Sequence, residues 1–387
     1  MRTVLFDLFY AQPLDGSKFH GGGEYMKRVF KELVVKYSES IKIVVFFNFD
    51  AFLDDWVKDL IREKGIETVS VKSLLEVRGI IDKYQIDVFY TGMPYHYRRE
   101  MFPDSVYKIG TFHGMRAVEC PHDQYEYKYM GTAKARAKER LRNLLKESRI
   151  GYEKNRRDGL KNYAECLGCF DRIITVSEHS KYSLMNFFPT IKSEDISVFY
   201  SPQKERTVSE IEYIGGGVKN LLLLGGNRWI KNTYRGILAI DGLYSKGHLT
   251  DVETTVLGGI STQIKRDIDN LERFHEFGYI ADWALENLYK NSILIYPTLN
   301  EGFGYPPLEA MYYGSTCVVS AVCSLPEICE DAVYYVNPTD IGEIQNRILH
   351  AIDKPIPREK VLEQYHKVSE KQELDLQKLC EIIIEKA

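Results

Sequence analysis

The sequence predicts an α/β protein made of two doubly wound parallel-sheet domains. Three observations carry this. Short apolar runs alternate with helical patterns through the first half of the chain. A polar, glycine-bearing stretch at residues 201–219 interrupts the alternation, which then restarts and continues almost to the end. Alternation of this kind is what parallel sheets with helical crossovers require. The length, 387 residues, exceeds one typical domain, so each half is large enough to bury a core.

In order, residues 2–9 read as a strand and 11–23 as a polar loop closing on His20-Gly-Gly-Gly23. Tyr25, Val29, Phe30, Leu33 and Val34 then repeat at helical spacing. Further strands are predicted at 41–47, 86–90, 107–112 and 172–176. After the linker, a strand at 220–224 leads through a loop at 225–232 into a helix from Thr233. Strands come next near 254–257, 274–277, 292–297, 317–320 and 332–336, and residues 358–387 read as an amphipathic helix. The boundaries expected are 1–205 for an N-terminal domain, 206–357 for a C-terminal domain facing it across a cleft, and 358–387 for a helix packing back toward the N-terminal domain.

Composition narrows the class. Charged residues at 27% and apolar residues at 44% describe an ordinary globular protein, and a net charge of −4 argues against a nucleic-acid partner. Asp7 comes too early for a signal peptide, and no apolar run reaches membrane-spanning length. Seven irregularly spaced cysteines suit a reducing cytoplasm. Cys166 and Cys169 form a lone C-x-x-C without a second pair, read as packed thiols rather than a redox or metal site. Residues 127–162 are the anomaly: twelve Lys and Arg stand against four Asp and Glu, a local +8. Either an anionic surface (lipid headgroups or a phosphate-bearing acceptor) is the partner, or the basic charges simply lie on a solvated helix face. Apolar positions there are few, so deep insertion is not expected.

The most informative stretch is residues 300–311, N-E-G-F-G-Y-P-P-L-E-A-M, after the apolar run S-I-L-I-Y-P at 292–297. Gly302 and Gly304 allow a turn that approaches a ligand closely, and Pro306-Pro307 suits a first helical turn. Strand, glycine turn and helix N-terminus together favour an anion such as phosphate. Glu301 lies on the loop and Glu309 inside the helix. Asp267-Ile-Asp269 spells D-x-D, but it falls in an apparent helix and reads as surface.

With its surroundings, this stretch resembles the family-4 retaining glycosyltransferases of the GT-B fold. The carrier is the E-x7-E pair Glu301 and Glu309. It is supported by G-Y-I-A-D-W-A-L-E-N-L-Y at 278–289, S-L-P-E-I-C-E-D at 324–331, Y-V-N-P-T-D at 335–340, L-L-L-G-G-N-R-W-I-K-N at 222–232 and T-V-S-E-H-S at 175–180. The resemblance is dense over 171–340 and thinner before it. It implies two Rossmann-like domains and a nucleotide-sugar donor, UDP-, GDP- or dTDP-linked, used as co-substrate without cofactor or metal. Arg228 and Lys231 would bind the diphosphate, Glu309 the ribose, and Glu301 the transferred sugar. Gly302, Phe303 and Gly304 would complete the phosphate cradle, with Gly22 and Gly23 closing over it and Ile280 touching the base. His113 matches the family's active-site histidine, and Arg116 and Glu119 would line the acceptor side. The reaction implied is retaining transfer to a saccharide acceptor. Separately, the 27 tyrosines and the basic segment 127–162 suit a saccharide on an anionic lipid carrier. Surface-polysaccharide or lipopolysaccharide assembly by a cytoplasmic enzyme, peripheral on the inner membrane face where 127–162 meets lipid, is therefore the expectation. A nicotinamide-dependent oxidoreductase would need G-x-G-x-x-G after the first strand, which residues 9–23 lack. A non-catalytic partner of the same fold is the remaining alternative.

Overall fold

The computed structural model describes residues 2–14, 18–204 and 219–386, excluding the side chains of 146, 147, 149 and 150. Most of the interdomain stretch read from the sequence, including Gly215–Gly217, lies outside the described residues. The chain groups into two compact units. The first holds residues up to 115, 158–204 and 369–386; the second holds 116–157 and 219–368. Residues 116–157 thus group with the C-terminal sheet, for reasons visible in their contacts. Arg235 pairs with Asp123 at 2.8 Å, Tyr234 N–H donates to the Tyr129 hydroxyl at 2.9 Å, and Lys128 pairs with Asp267.

The first unit is a seven-stranded parallel sheet of order β3-β2-β1-β4-β5-β6-β7. Its strands are β1 (Thr3–Asp7), β2 (Lys42–Phe47), β3 (Glu67–Ser70), β4 (Val88–Thr91), β5 (Tyr107–Phe112), β6 (Arg172–Thr175) and β7 (Ile196–Val198). Every residue of β1 and β4 is buried, which explains their continuous apolar runs: helices cover both faces. The edge strands β3 and β7 were not legible in the sequence. E-T-V-S in β3 has no buried residue, and I-S-V in β7 has one. Helix α1 (Gly21–Tyr37) buries Tyr25, Met26, Val29, Phe30, Leu33 and Val34 on one stripe. Helices α2 (Asp55–Glu63) and α3 (Val77–Tyr84) are further crossovers, and α4 (Arg116–Glu119) opens the second unit.

The basic region holds α5 (Ala133–Glu147) and α6 (Arg149–Leu167), and α7 (Glu178–Phe187) comes after β6. The second unit's sheet has six parallel strands in the order β10-β9-β8-β11-β12-β13. They are β8 (Asn220–Leu224), β9 (Glu253–Leu257), β10 (Phe274–Phe277), β11 (Ser292–Tyr296), β12 (Cys317–Ser320) and β13 (Tyr334–Val336), all predicted from sequence. Between and after them run α8 (Thr233–Ser245), α9 (Thr262–Lys265), α10 (Asp282–Asn291), α11 (Tyr305–Tyr312), α12 (Leu325–Cys329), α13 (Ile341–Asp353) and α14 (Arg358–Lys386). Leu221, Leu223, Ile237, Ile240, Ile293, Ile295, Ile344 and Ile348 share one core. Gly236 lets α8 lie close on β8, since a Cβ there would sit 2.9 Å from Leu223 Cδ2.

One local expectation is corrected. Helix α9 ends at Lys265, so Asp267-Ile-Asp269 comes after the helix instead of lying within it. The Asp241 carboxylate accepts from Asp269 N–H and Asn270 N–H at 3.1 and 2.9 Å and holds the chain in a turn. Both aspartates are on the surface, as expected. Cys166 and Cys169 are buried, and burial pushes both thiols up to about 12, so they stay protonated. Among the described residues no helix is long and apolar enough to cross a membrane.

Candidate functional site

In the second unit, β8 and β11 are neighbours, β9 and β10 extend from β8, and β12 and β13 extend from β11. At such a reversal the connections after the two central strands leave toward opposite faces and open a crevice at the strands' carboxyl ends. The loops at this position are 225–232 and 297–304, which hold Arg228, Lys231 and Glu301.

The loops are stitched together. Asn232, at φ +55°, donates to the carbonyls of Pro297 and Pro338 at 2.8 and 2.7 Å, and Leu299 N–H donates to Ile230 O at 2.8 Å. Gly226 packs so tightly that a Cβ would lie 2.1 Å from Gly259 O. Ser324 Oγ donates to the carbonyls of Glu301 and Phe303 at 3.1 and 2.8 Å, fixing the second loop. Gly304, at φ +120°, turns the chain into α11, with Pro306 and Pro307 in its first turn. A side chain there is strained by the backbone and meets Leu325 Cδ2 at 2.9 Å. Gly304→Ala therefore costs about 1–3 kcal/mol of stability, read as a lowered unfolding midpoint; an unchanged midpoint would contradict the assigned turn.

On this frame Lys231 Nζ donates to Glu301 Oε2 at 2.6 Å and to the Tyr296 hydroxyl at 2.5 Å, and Tyr296 donates to the same Glu301 oxygen at 2.6 Å. Burial alone would raise the Glu301 carboxyl, but Lys231, Tyr296 and Arg228 together hold it below the ordinary range. Burial pulls the Lys231 ammonium down; Glu301 opposes this, and Arg228 and Arg116 add to it. Tyr296 is pushed well up by burial and by Glu301, so it remains a donor. Among the described residues two of the three Nζ hydrogens of Lys231 have partners, which leaves one for an incoming acceptor. Arg228 and Lys231 act on the half-buried Glu301 carboxylate and Arg116 acts on Lys231, so cations predominate around the pair and favour an anion there.

Other sequence candidates lie around the pair. Glu119 accepts from Asn300 Nδ2 at 2.8 Å, which places it beside the second loop. Glu309 in α11 accepts from the Tyr289 hydroxyl at 2.7 Å and acts electrostatically on Tyr296. Gly302 and Phe303 lie on the loop itself, and Ile280 is half-buried after β10. Tyr296 and Asn300 were not singled out from sequence. Their signal was position: Tyr296 ends the switch-point strand and Asn300 lies in its loop, directly before Glu301.

The first unit has its own reversal between β1 and β4. Gly22 and Gly23 open α1, where a Cβ on Gly22 would lie 2.4 Å from Met93 Sδ. His20, a loop residue on sequence grounds, caps this helix: its Nδ1 accepts from Gly23 N–H at 3.1 Å. His113 comes directly after β5, and its Nε2 lies 2.8 Å from Gly92 O. A carbonyl only accepts, so Nε2 carries the proton and Nδ1 is the acceptor. Burial, opposed by the Gly92 bond, takes His113 down to about 4, so the ring is neutral at physiological pH. Asp7, buried at the end of β1, accepts from Thr91 and Tyr97 hydroxyls at 2.7 and 2.8 Å, yet burial pushes it up to about 6.

Residues 244–371 match the sequence profile of the family "Glycosyl transferases group 1". This segment is therefore similar to the group 1 glycosyl transferases. It contains Glu301, Glu309 and Ile280, while Arg228 and Lys231 precede it in the same unit. The chain is 41% identical over 83 residues to the O-antigen chain mannosyltransferase B of Escherichia coli, covering 21% of this chain and 22% of that protein. It is 26% identical over 180 residues to the O-antigen chain mannosyltransferase RfbU of Salmonella typhimurium, covering 46% and 49%. The matches thus span less than half the length of either relative. Over 99% of both chains it superposes on Anabaena Alr3699/HepE, solved in complex with UDP, with a TM-score of 0.63 at 13% identity. The fold, inside the matched segment and outside it, is GT-B, two Rossmann-like parallel-sheet domains.

Proposed function

We propose that the protein is a retaining glycosyltransferase that moves mannose from a nucleoside-diphosphate sugar to a saccharide acceptor in surface-polysaccharide assembly. The observation that carries this is the Lys231–Glu301–Tyr296 cluster, with Arg228 beside it, at the switch point of the unit holding the matched segment. The sugar and the pathway rest on the names of the partial relatives.

In this reading Arg228 and the remaining hydrogen of Lys231 meet the diphosphate. Cations fixed at a leaving group that gains negative charge stabilise the transition state without a metal. Glu301, kept ionised by Lys231, accepts from hydroxyls of the transferred sugar and supports positive charge at the anomeric carbon. Glu309 takes the ribose hydroxyls, the backbone of Gly302–Gly304 adds to the phosphate cradle, and Ile280 contacts the base. Gly22, Gly23 and His113 keep the donor-side roles that the resemblance gives them, His113 accepting through Nδ1. The acceptor oxygen bonds to the anomeric carbon as its bond to the diphosphate breaks, on the same face. The departing phosphate oxygen takes the acceptor's proton, and Arg116 and Glu119 guide the acceptor.

Titration calorimetry with UDP, GDP and dTDP tests the binding half. One diphosphate is expected to bind, and Arg228→Ala to weaken it by about 10- to 100-fold, as loss of a charge-assisted bond implies. Failure of all three to bind, or undiminished binding by the variant, would overturn the donor site.

A further inference from the structure

Helix α5 is inverted with respect to its own unit. Its inward positions are polar: Glu139 and Asn143 are 7% and 4% exposed, with Asn143 Nδ2 donating to Asp123 O at 3.2 Å. Its outward positions are apolar: Leu141, Leu144 and Leu145 are 61%, 67% and 60% exposed. Spacings of three and four residues put these leucines on one face, opposite Glu139 and Asn143. Lys134 and Lys138 continue the same face, and Arg140 and Arg142 flank it. Leucines presented to solvent in the most basic part of the chain are not a solvated helix surface.

Beside this face runs a cavity of about 400 Å³ whose lining includes Tyr127, Arg136, Arg140 and Gln263. Arg140 stacks over the Tyr127 ring at 4.6 Å, and Arg136 is anchored to the carbonyl of Gly131 at 3.0 Å. Ala133 and Ala137 complete the lining with small side chains, so a cavity carrying two guanidiniums can receive an anionic group.

We infer that the Leu141–Leu144–Leu145 face of α5 docks on an anionic lipid bilayer. The leucines enter the interface between headgroups and acyl chains, while Lys134, Lys138, Arg140 and Arg142 contact lipid phosphates. Charge complementarity selects this occupant: the segment 127–162 carries +8 in a chain of net −4. From sequence, the scarcity of apolar residues argues against insertion; their placement on one outward face revises that. None of these α5 residues has a part in the proposed reaction.

The test is co-sedimentation of the full chain with phosphatidylcholine vesicles, with and without phosphatidylglycerol. Binding is expected only with the anionic lipid and should weaken as salt rises. Leu141→Gln, Leu144→Gln and Leu145→Gln combined should cut it at least about tenfold, and Lys134→Glu with Lys138→Glu by a similar factor. Because all five residues are exposed, both variants should keep the wild-type unfolding midpoint and diphosphate affinity. Absence of binding, or binding that survives the leucine substitutions, overturns the inference. Self-association abolished by those substitutions, without vesicle binding, assigns the face to a second copy and overturns it too.

Discussion

Lys231→Ala is expected to destabilise the C-terminal unit by about 3–5 kcal/mol, as removing one partner of a buried ion pair does. Lys231 and Glu301 are only 14% and 16% exposed, and 2.6 Å apart. Without the ammonium, the Glu301 carboxylate keeps the Tyr296 hydroxyl and the more distant Arg228, while burial, its largest influence, pushes its pKa up. The loss comes from stranding a charge, so removing that charge should recover much of it. Lys231→Ala combined with Glu301→Gln should be more stable than Lys231→Ala alone. The measurement is the unfolding free energy of the three variants by denaturant titration. Equal stability of the single variant and wild type, or no recovery in the double variant, would show that the pair is not buried and coupled as described.

The second large effect concerns pH and the N-terminal unit. His113 titrates near 4 folded and near 6.5 unfolded. Between these values the unfolded chain binds the proton and the folded one does not. The stability is therefore full above pH 6.5 and is lost as pH falls through 4, by about 3 kcal/mol in all at 1.36 kcal/mol per unit. Asp7 has the opposite sign. Its folded value is about 6 against 3.8 unfolded, so its contribution is full below 3.8 and is lost as pH rises through 6. The two windows overlap, and in the wild type the two slopes oppose each other. Relative to wild type, His113→Asn should lose stability as pH rises from 4 to 6, because Asp7 then acts alone. Asp7→Asn should gain stability over the same range. Unfolding free energies of the three proteins at matched pH values check this; parallel profiles would refute the opposed titrations.

Much of this was legible in the chain because both sheets are parallel and buried. Runs such as L-L-L-L in β8 and S-I-L-I-Y in β11 have no polar face to confuse the pattern. The edge strands β3 and β7, being half-exposed and short, lacked that signal. At the candidate site, the glycine, proline and glutamate pattern of 300–311 drew attention to Glu301 and Glu309, and the resemblance drew it to Arg228 and Lys231; the structure sets Lys231 against Glu301. Tyr296 was hidden because an aromatic at a strand end reads as core; only the fold brings its hydroxyl to a lysine 65 residues earlier in sequence. Neither the Asn300–Glu119 bond nor the regrouping of 116–157 with the C-terminal unit has a local signature, since both depend on partners more than a hundred residues away. The inverted helix α5 was obscured differently. Its leucines were visible, but which way a helix faces is a tertiary fact.

Turnover decides whether the Lys231–Glu301 crevice is an active site. Wild-type protein and Glu301→Gln should each be incubated with UDP-, GDP- and dTDP-linked sugars, and release of the diphosphate measured over time. Wild-type protein should release diphosphate slowly from donors of one nucleotide. Glu301→Gln should lower that release by at least about 100-fold, as expected for a group that acts on transition-state charge, with diphosphate affinity retained. No release from any donor by folded wild-type protein would contradict this and leave the fold as that of a non-catalytic partner. Equal release by the variant would place Glu301 outside the reaction.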